Sequence, residues 1–289
     1  MKQFFVFLIA ITIFSCGKDD DFKADEPNIT VEAQNLTNVA YGSDNLQKMD
    51  FYLPANRSTT STKVMILLHG GAWSEGDKAD LNSVIDSLRR RLPDWAFFNL
   101  NYRLAGFSSN KFPTQEEDVK AAVKYIYDRR QTFNISDKWI IGGASAGAHL
   151  AMLQAYKNNQ TITPKAVVNF FGPVDMVSLY NFYASTDPGT GLLVSVLMGG
   201  TPTSNAAMYQ ASSPINFVSA QSPPTIILQG GLDDVVPKEQ SYALETKLKS
   251  VNVKNQLVYY ANQTHGWSDP AIWNDCLNKI QNFLTVNVP

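Results

Sequence analysis

One serine of the 289-residue chain stands in a setting that could make it a nucleophile. Gly143-Ala144-Ser145-Ala146-Gly147 follows the apolar run Trp139-Ile140-Ile141 and precedes a helix-forming stretch, so Ser145 falls where a strand turns sharply into a helix. A hydroxyl projected from so tight a turn needs small neighbours, because side chains two residues to either side would clash. A serine hydroxyl is a weak nucleophile until a base takes its proton, and the base needs a third group to orient it. The chemistry open to such a set is attack on a carboxyl carbonyl, through a covalent acyl intermediate.

An attacked carbonyl develops negative charge, which donors must meet. His69-Gly70-Gly71-Ala72-Trp73 directly follows another apolar run, Val64 to Leu68, and its small residues would let backbone N–H groups come close to a substrate oxygen. The N–H of Ala146, next to the nucleophile at the start of a helix, is expected to join them. Elimination among the 3 histidines gives the base. His69 belongs to the glycine-rich loop. His149 lies four residues after Ser145 on the same helix, points along it, and reads as a packed core histidine. His265, in Thr264-His265-Gly266-Trp267 after the last apolar run, can reach back to the serine. The acid should lie between serine and base in chain order. Asp233 and Asp234 follow one apolar run, Asp175 follows another, and position alone leaves all three open.

The elements needed to carry these residues can be traced along the chain. Segments 28–39 and 46–53 read as antiparallel strands joined at Gly42-Ser43-Asp44-Asn45. Segments 64–68, 95–101, 139–143, 166–171, 225–229 and 257–260 read as further strands, and the apolar run at 64–68 lacks the alternation of a half-exposed strand. Helices are expected over 78–92, 114–130, from 146 onward, 238–249 and 271–284; the second has an apolar stripe of Val119, Ala122, Val123, Ile126 and Tyr127. Alternation of strands and helices predicts an α/β fold, with a mostly parallel central sheet covered by helices on both faces. The stretch 175–222, rich in Ser, Thr, Pro and Gly, breaks the rhythm and is expected to be a small cap-like excursion.

Composition narrows the partners. With 44% hydrophobic and 17% charged residues the chain can build a sizeable core, and a net charge of −2 offers no basic face for nucleic acid. The 2 cysteines, Cys16 and Cys276, make neither a disulfide framework nor a metal cluster, and Cys276 reads as a small buried hydrophobe. Met1-Lys2-Gln3 and the apolar run from Phe4 to Phe14 form a secretory signal too short to span a bilayer permanently. Because Cys16 ends that run, the leader resembles a bacterial lipoprotein signal. The resemblance implies a signal peptide over 1–15, cleavage before Cys16 and lipidation of its sulfur. The following Gly17-Lys18-Asp19-Asp20-Asp21 resembles the acidic export tag of surface lipoproteins in Bacteroidetes. The expected organisation is a flexible acidic tether over 16–27 and one catalytic-type domain over 28–289, held at the cell envelope on the outer membrane, with membrane contact through the lipid anchor only.

From about Leu46 onward the chain resembles the carboxylesterase and feruloyl/acetyl-xylan-esterase-like branch of the α/β hydrolases. Besides the serine motif and the His69 loop, the resemblance rests on Gly76-Asp77-Lys78, Asn101-Tyr102-Arg103, Phe112-Pro113 with Asp118, Leu197-Met198-Gly199-Gly200 and Ser213-Pro214-Ile215. It implies that Gly71 and Ala72 join Ala146 as oxyanion donors. It also selects Asp233 as the acid, since the catalytic aspartate there precedes a spacer, two apolar residues and a proline. Ser145, Asp233 and His265 would then form a triad hydrolysing small-molecule or polysaccharide esters, acetyl or feruloyl among them, with no metal and no organic cofactor. Gln229, where similar proteins often carry histidine, is expected to matter little. Ser145-Ala146-Gly147-Ala148-His149-Leu150 and the loop His69 to Trp73 are also similar to arylformamidases, which makes an amide hydrolase the nearest rival. A non-catalytic glycan-binding surface lipoprotein is the rival from another class; it would have no need of an intact triad.

Overall fold

Apolar runs in this chain pair into one sheet. The computed structural model describes residues 31–289; the expected signal segment 1–15, Cys16 and the tether 16–27 lie outside the described residues. The strands are β1 (Gln34–Ala40), β2 (Lys48–Leu53), β3 (Val64–Leu68), β4 (Ala96–Leu100), β5 (Trp139–Ala144), β6 (Ala166–Phe170), β7 (Thr225–Gly230) and β8 (Asn255–Tyr260), in the order β1-β2-β4-β3-β5-β6-β7-β8. β1 and β2 pair antiparallel, as do β2 and β4, and all remaining pairs are parallel. Every residue of β3, β4, β6 and β7 is buried, as a parallel sheet covered on both faces requires. This is the α/β-hydrolase fold.

The helices are α1 (Asn82–Arg91), α2 (Thr114–Asp128), α3 (Ala146–Tyr156), α4 (Met176–Thr186), α5 (Pro188–Leu197), α6 (Ala206–Ser212), α7 (Glu239–Ser250) and α8 (Pro270–Asn287). β3 shows how the pleat divides the core. Val64, Ile66 and Leu68 join the cluster built with α2, α3 and α7, while Met65 and Leu67 join that built with α1 and α8. Buried along its whole length, α3 runs through the interior, so the residue at its start is held on a rigid element.

Two segments differ from the sequence expectation. The helix expected over 78–92 is a 3-10 turn, Lys78–Leu81, followed by α1. Asp77 and Asp80 close a capping box on the turn, and the buried Lys78 ammonium reaches Asp50 at 3.2 Å. The stretch 175–222 is mostly helical, with α4, α5, α6 and a 3-10 turn at Pro214–Phe217. Its turn-forming residues start helices instead of breaking them: Asp175 caps α4, Asp187 caps α5, and Pro188 occupies the first turn, where a missing N–H costs nothing.

Candidate active site

Ser145 joins β5 to α3 at φ 53°, ψ −121°, a region that residues with a side chain seldom adopt and that costs on the order of 1–3 kcal/mol. Its backbone N–H donates to Phe170 O at 2.9 Å, and its carbonyl accepts from His149 N at 3.1 Å. The flanking glycines follow from close packing of α3 on β3. A Cβ at Gly147 would lie 2.2 Å from Leu68 O, and one at Gly143 would lie 2.6 Å from the same oxygen.

Facing the serine, the loop after β3 runs through successive left-handed residues, Gly71 (φ 104°), Ala72 (φ 48°) and Trp73 (φ 62°). The Gly71 carbonyl accepts from the N–H groups of Ser74 and Glu75 at 3.0 and 2.9 Å, which closes the loop on itself. Among the described residues the backbone N–H groups of Gly71, Ala72 and Ala146 donate to no protein acceptor, so all three expected donors are free to meet a substrate oxygen. His69 braces this loop. Its Nδ1–H donates to Gly70 O at 2.7 Å, and its ring stacks on Tyr102 at 4.3 Å. The Tyr102 hydroxyl donates to His69 O at 3.0 Å. Burial holds the His69 pKa below the ordinary imidazole range, which keeps the ring neutral. The Gly76-Asp77-Lys78 and Asn101-Tyr102-Arg103 segments meet here too, since Asn101 Nδ2 donates to Asp77 at 2.6 Å and its Oδ1 accepts from Lys78 N at 2.5 Å.

His265 Nδ1 lies 2.9 Å from Asp233 Oδ2. The other oxygen of Asp233 accepts from the N–H groups of Val235 and Val236 at 3.0 and 2.8 Å, so the carboxylate is fixed by its own loop. The His265 ring stands edge to face with Phe171 at 4.7 Å, and with Nδ1 on Asp233 its Nε2 is the nitrogen that makes no hydrogen bond among the described residues. Among the described residues no hydrogen bond joins the Ser145 hydroxyl to His265; contacts of this kind often tighten only when substrate docks. The other carboxylates are engaged elsewhere. Asp175 caps α4 through Val177 N and Ser178 N, both at 3.0 Å, and Asp234 is exposed.

His149 is buried and bonded at both nitrogens. A carbonyl can only accept and an indole N–H can only donate, so its Nε2–H donates to Ser212 O at 2.7 Å and its Nδ1 accepts from Trp73 Nε1 at 3.2 Å. The ring therefore links α3, the loop carrying Ala72 and the excursion. Gln229, to which the sequence reading attaches little weight, lies with its amide on Asp233. A polar residue at the end of a buried strand carries no pattern by which that contact could be read in advance.

A cavity of about 270 Å³ opens at Ser145, roofed by α4 and α5, and no charged side chain lines it. Leu179 and Tyr183 of α4 line it at helical spacing, as do Thr190, Leu193, Val194 and Leu197 of α5, and Val196 adds to the lining from beside that stripe. Of the aromatic and aliphatic residues of the excursion, Tyr183 lines it and Tyr180, Phe182 and Leu192 do not. Leu192 falls off the α5 stripe and is exposed, and Tyr180 packs edge to face on Tyr209.

Comparison with known proteins gives a consistent result. A solved structure, a truncated form of a carbohydrate esterase from gut microbiota, superposes with a TM-score of 0.72 at 26% identity, covering 87% of this chain and 96% of that one. Esterase LipC of Mycobacterium tuberculosis is 27% identical over 233 residues, 76% of this chain and 56% of that protein. A kynurenine formamidase of Aspergillus versicolor is 32% identical over 132 residues, 40% of this chain and 45% of that protein. The chain spans about half the length of the curated relatives it matches first. The BD-FAE family model matches residues 49–248, a span that includes the Ser145 elbow, the Ala72 loop, the excursion and Asp233. With well over half of its length in that match, the chain belongs to the BD-FAE family.

Proposed function

We propose that this chain hydrolyses carboxylic esters, with Ser145 as nucleophile, His265 as base and Asp233 as the acid that orients it. The observation that carries the reading is a serine on a strained elbow that shares one cavity with a loop of left-handed residues carrying free amides, in a chain that also holds a His265–Asp233 pair at 2.9 Å on the loops after β8 and β7. His265 Nε2 takes the hydroxyl proton as Ser145 Oγ bonds to the acyl carbon, and the carbonyl oxygen gathers charge against the amides of Gly71, Ala72 and Ala146. The alcohol departs with the proton from His265, and water, deprotonated by the same ring, then cleaves the acyl-enzyme.

The uncharged, apolar cavity favours an acyl group with hydrophobic bulk, such as an aromatic or medium-chain acid. An acetyl group would fill only a corner of it, although nothing in the lining excludes acetyl esters. The carbohydrate esterase among the similar structures supports a polysaccharide ester, feruloyl or acetyl, as substrate. A formamide is the second reading, favoured by the 32% identity to a kynurenine formamidase. The leader supports attachment to the outer membrane through a lipid on Cys16; incorporation of labelled palmitate, lost in Cys16→Ser, tests it.

The decisive experiment compares the protein with Ser145→Ala on p-nitrophenyl acetate, butyrate and octanoate, methyl ferulate, acetylated xylan and N-formylkynurenine. Ester hydrolysis that vanishes in the variant is the expected result. Hydrolysis confined to N-formylkynurenine would replace the ester reading with the amide one. Turnover of nothing, with no labelling by a fluorophosphonate, would leave the glycan-binding reading.

A further inference from the structure

Gln229 is the penultimate residue of β7, with no exposed surface. One end of its amide accepts from the Ser241 hydroxyl of α7 at 2.7 Å. The other end faces three acceptors: Asp233 Oδ2 at 3.1 Å, Gly230 O at 3.1 Å and Val236 O at 3.2 Å. Three acceptors around one atom demand the nitrogen there, so the surroundings fix the amide's orientation.

The consequence lies in where Asp233 obtains its donors. Oδ1 is held by Val235 N and Val236 N, and Oδ2 by His265 Nδ1. Those partners belong to Asp233's own loop or to the loop after β8. Gln229 is the partner that belongs to a central strand, and Ser241, itself fully buried, locks it to a helix. A donor fixed in this way keeps Oδ2 turned toward the imidazole and satisfies an acceptor that burial has taken from water. An amide does not titrate, so the support is the same at any pH at which the fold survives.

We infer that Gln229, oriented by Ser241, is a positioning residue for the acid of the triad. It holds Asp233 Oδ2 on His265 and supplies a donor that cannot ionise. The inference rests on the assignment of Ser145, His265 and Asp233 in the proposed function. The groups facing Asp233 are His265, the Tyr183 hydroxyl, bonded to Val235 O, and the exposed Asp234 on the same loop.

Gln229→Leu, Gln229→Glu and Ser241→Ala would be compared with the unaltered protein in p-nitrophenyl butyrate hydrolysis across pH. His265 would be followed by NMR titration and folding by thermal melts. Losing a charge-assisted hydrogen bond predicts a fall in kcat of about tenfold or more for Gln229→Leu, with KM changed by less than about twofold. Gln229→Glu separates positioning from mere packing. While protonated, its carboxyl donates to Asp233 as the amide does. Once ionised, it sets two carboxylates side by side, so kcat falls again as pH rises and the His265 titration moves upward. Ser241→Ala should move kcat in the same direction as Gln229→Leu, and by less. Variants that lose thermal stability with an unchanged pH profile and an unmoved His265 titration would overturn the inference, as would full activity in Gln229→Leu. If the unaltered protein hydrolyses no ester, the proposed function fails by itself. The His265 titration in Gln229→Glu then still decides the brace, a shift supporting it and no shift overturning it.

Discussion

Trp73 and His149 share a hydrogen bond of 3.2 Å, with their rings edge to face at 87°. The bond ties the residue after Ala72 to the helix that begins at Ala146, so two of the three proposed oxyanion donors are set relative to each other by one imidazole. Trp73→Phe keeps the ring's bulk and removes only the N–H. The Ala72 amide should then lose its fixed aim, and kcat should fall about tenfold, short of the ~10²–10³ lost when such a donor is deleted outright. KM should hardly change, since the cavity wall remains. Steady-state kinetics on a short-chain p-nitrophenyl ester measure both. An unchanged kcat would mean that the loop holds its shape without His149.

His149 also sets a pH dependence of stability. Burial pulls its pKa down to about 4 from the ordinary 6.5, and its bonds fit only the neutral ring, because a proton on Nδ1 would confront the Trp73 N–H. Between those values the unfolded chain binds a proton that the folded chain refuses. The full stabilisation is therefore present above about pH 6.5 and is lost as pH falls toward about 4, a loss on the order of 3 kcal/mol. In His149→Gln the non-titrating amide should remove this component. Urea midpoints measured from pH 7 to pH 4 should fall less steeply in the variant than in the unaltered protein. Parallel slopes would assign the acid loss to other groups.

Strain at Ser145 yields a third prediction. At φ 53° Ser145 pays for its Cβ, and alanine would suffer the same conflict. Glycine relieves roughly 1–3 kcal/mol of it and returns about 0.5–1 kcal/mol to the unfolded chain's freedom. Ser145→Gly should be inactive yet more stable than Ser145→Ala by about 1 kcal/mol, read as a higher melting temperature. Equal melting of the two variants would mean that the elbow holds no such strain.

Much of the fold could be read from runs and spacings, because a buried parallel strand announces itself as an apolar stretch without alternation. Gly143 and Gly147 marked the elbow, because two residues either side of Ser145 is where α3 and β3 come too close for a Cβ. His265, the histidine that meets Asp233, could be singled out among 3 histidines by place alone as the candidate base. The acid could not. Asp175 looks as eligible as Asp233 until Met176 is known to begin a helix that needs a cap. The excursion was foreseen but its helices were not, for a related reason: Pro188-Gly189-Thr190 reads as a break, and only the tertiary setting makes it the first turn of α5. Without that helix the stripe formed by Leu193, Val194 and Leu197 has no face, so the lining of the cavity could not be foreseen.

That stripe carries the last prediction. Val194 is buried on α5 and borders the cavity that opens at Ser145, and it is none of the proposed triad or oxyanion residues. Val194→Phe adds apolar bulk where the acyl group of a hydrophobic ester would sit, and the remaining space should still admit an acetyl group. Pockets of this kind discriminate by size over about 10–200-fold. The ratio of kcat/KM for p-nitrophenyl octanoate to that for the acetate should fall at least ~10-fold, with acetate turnover nearly kept. Methyl ferulate should follow octanoate if its aromatic acyl group uses the same space. A ratio that stays constant, in a variant that still turns over acetate, would show that the acyl group lies elsewhere. The cavity under α4 and α5 would then be left to the alcohol side of the ester.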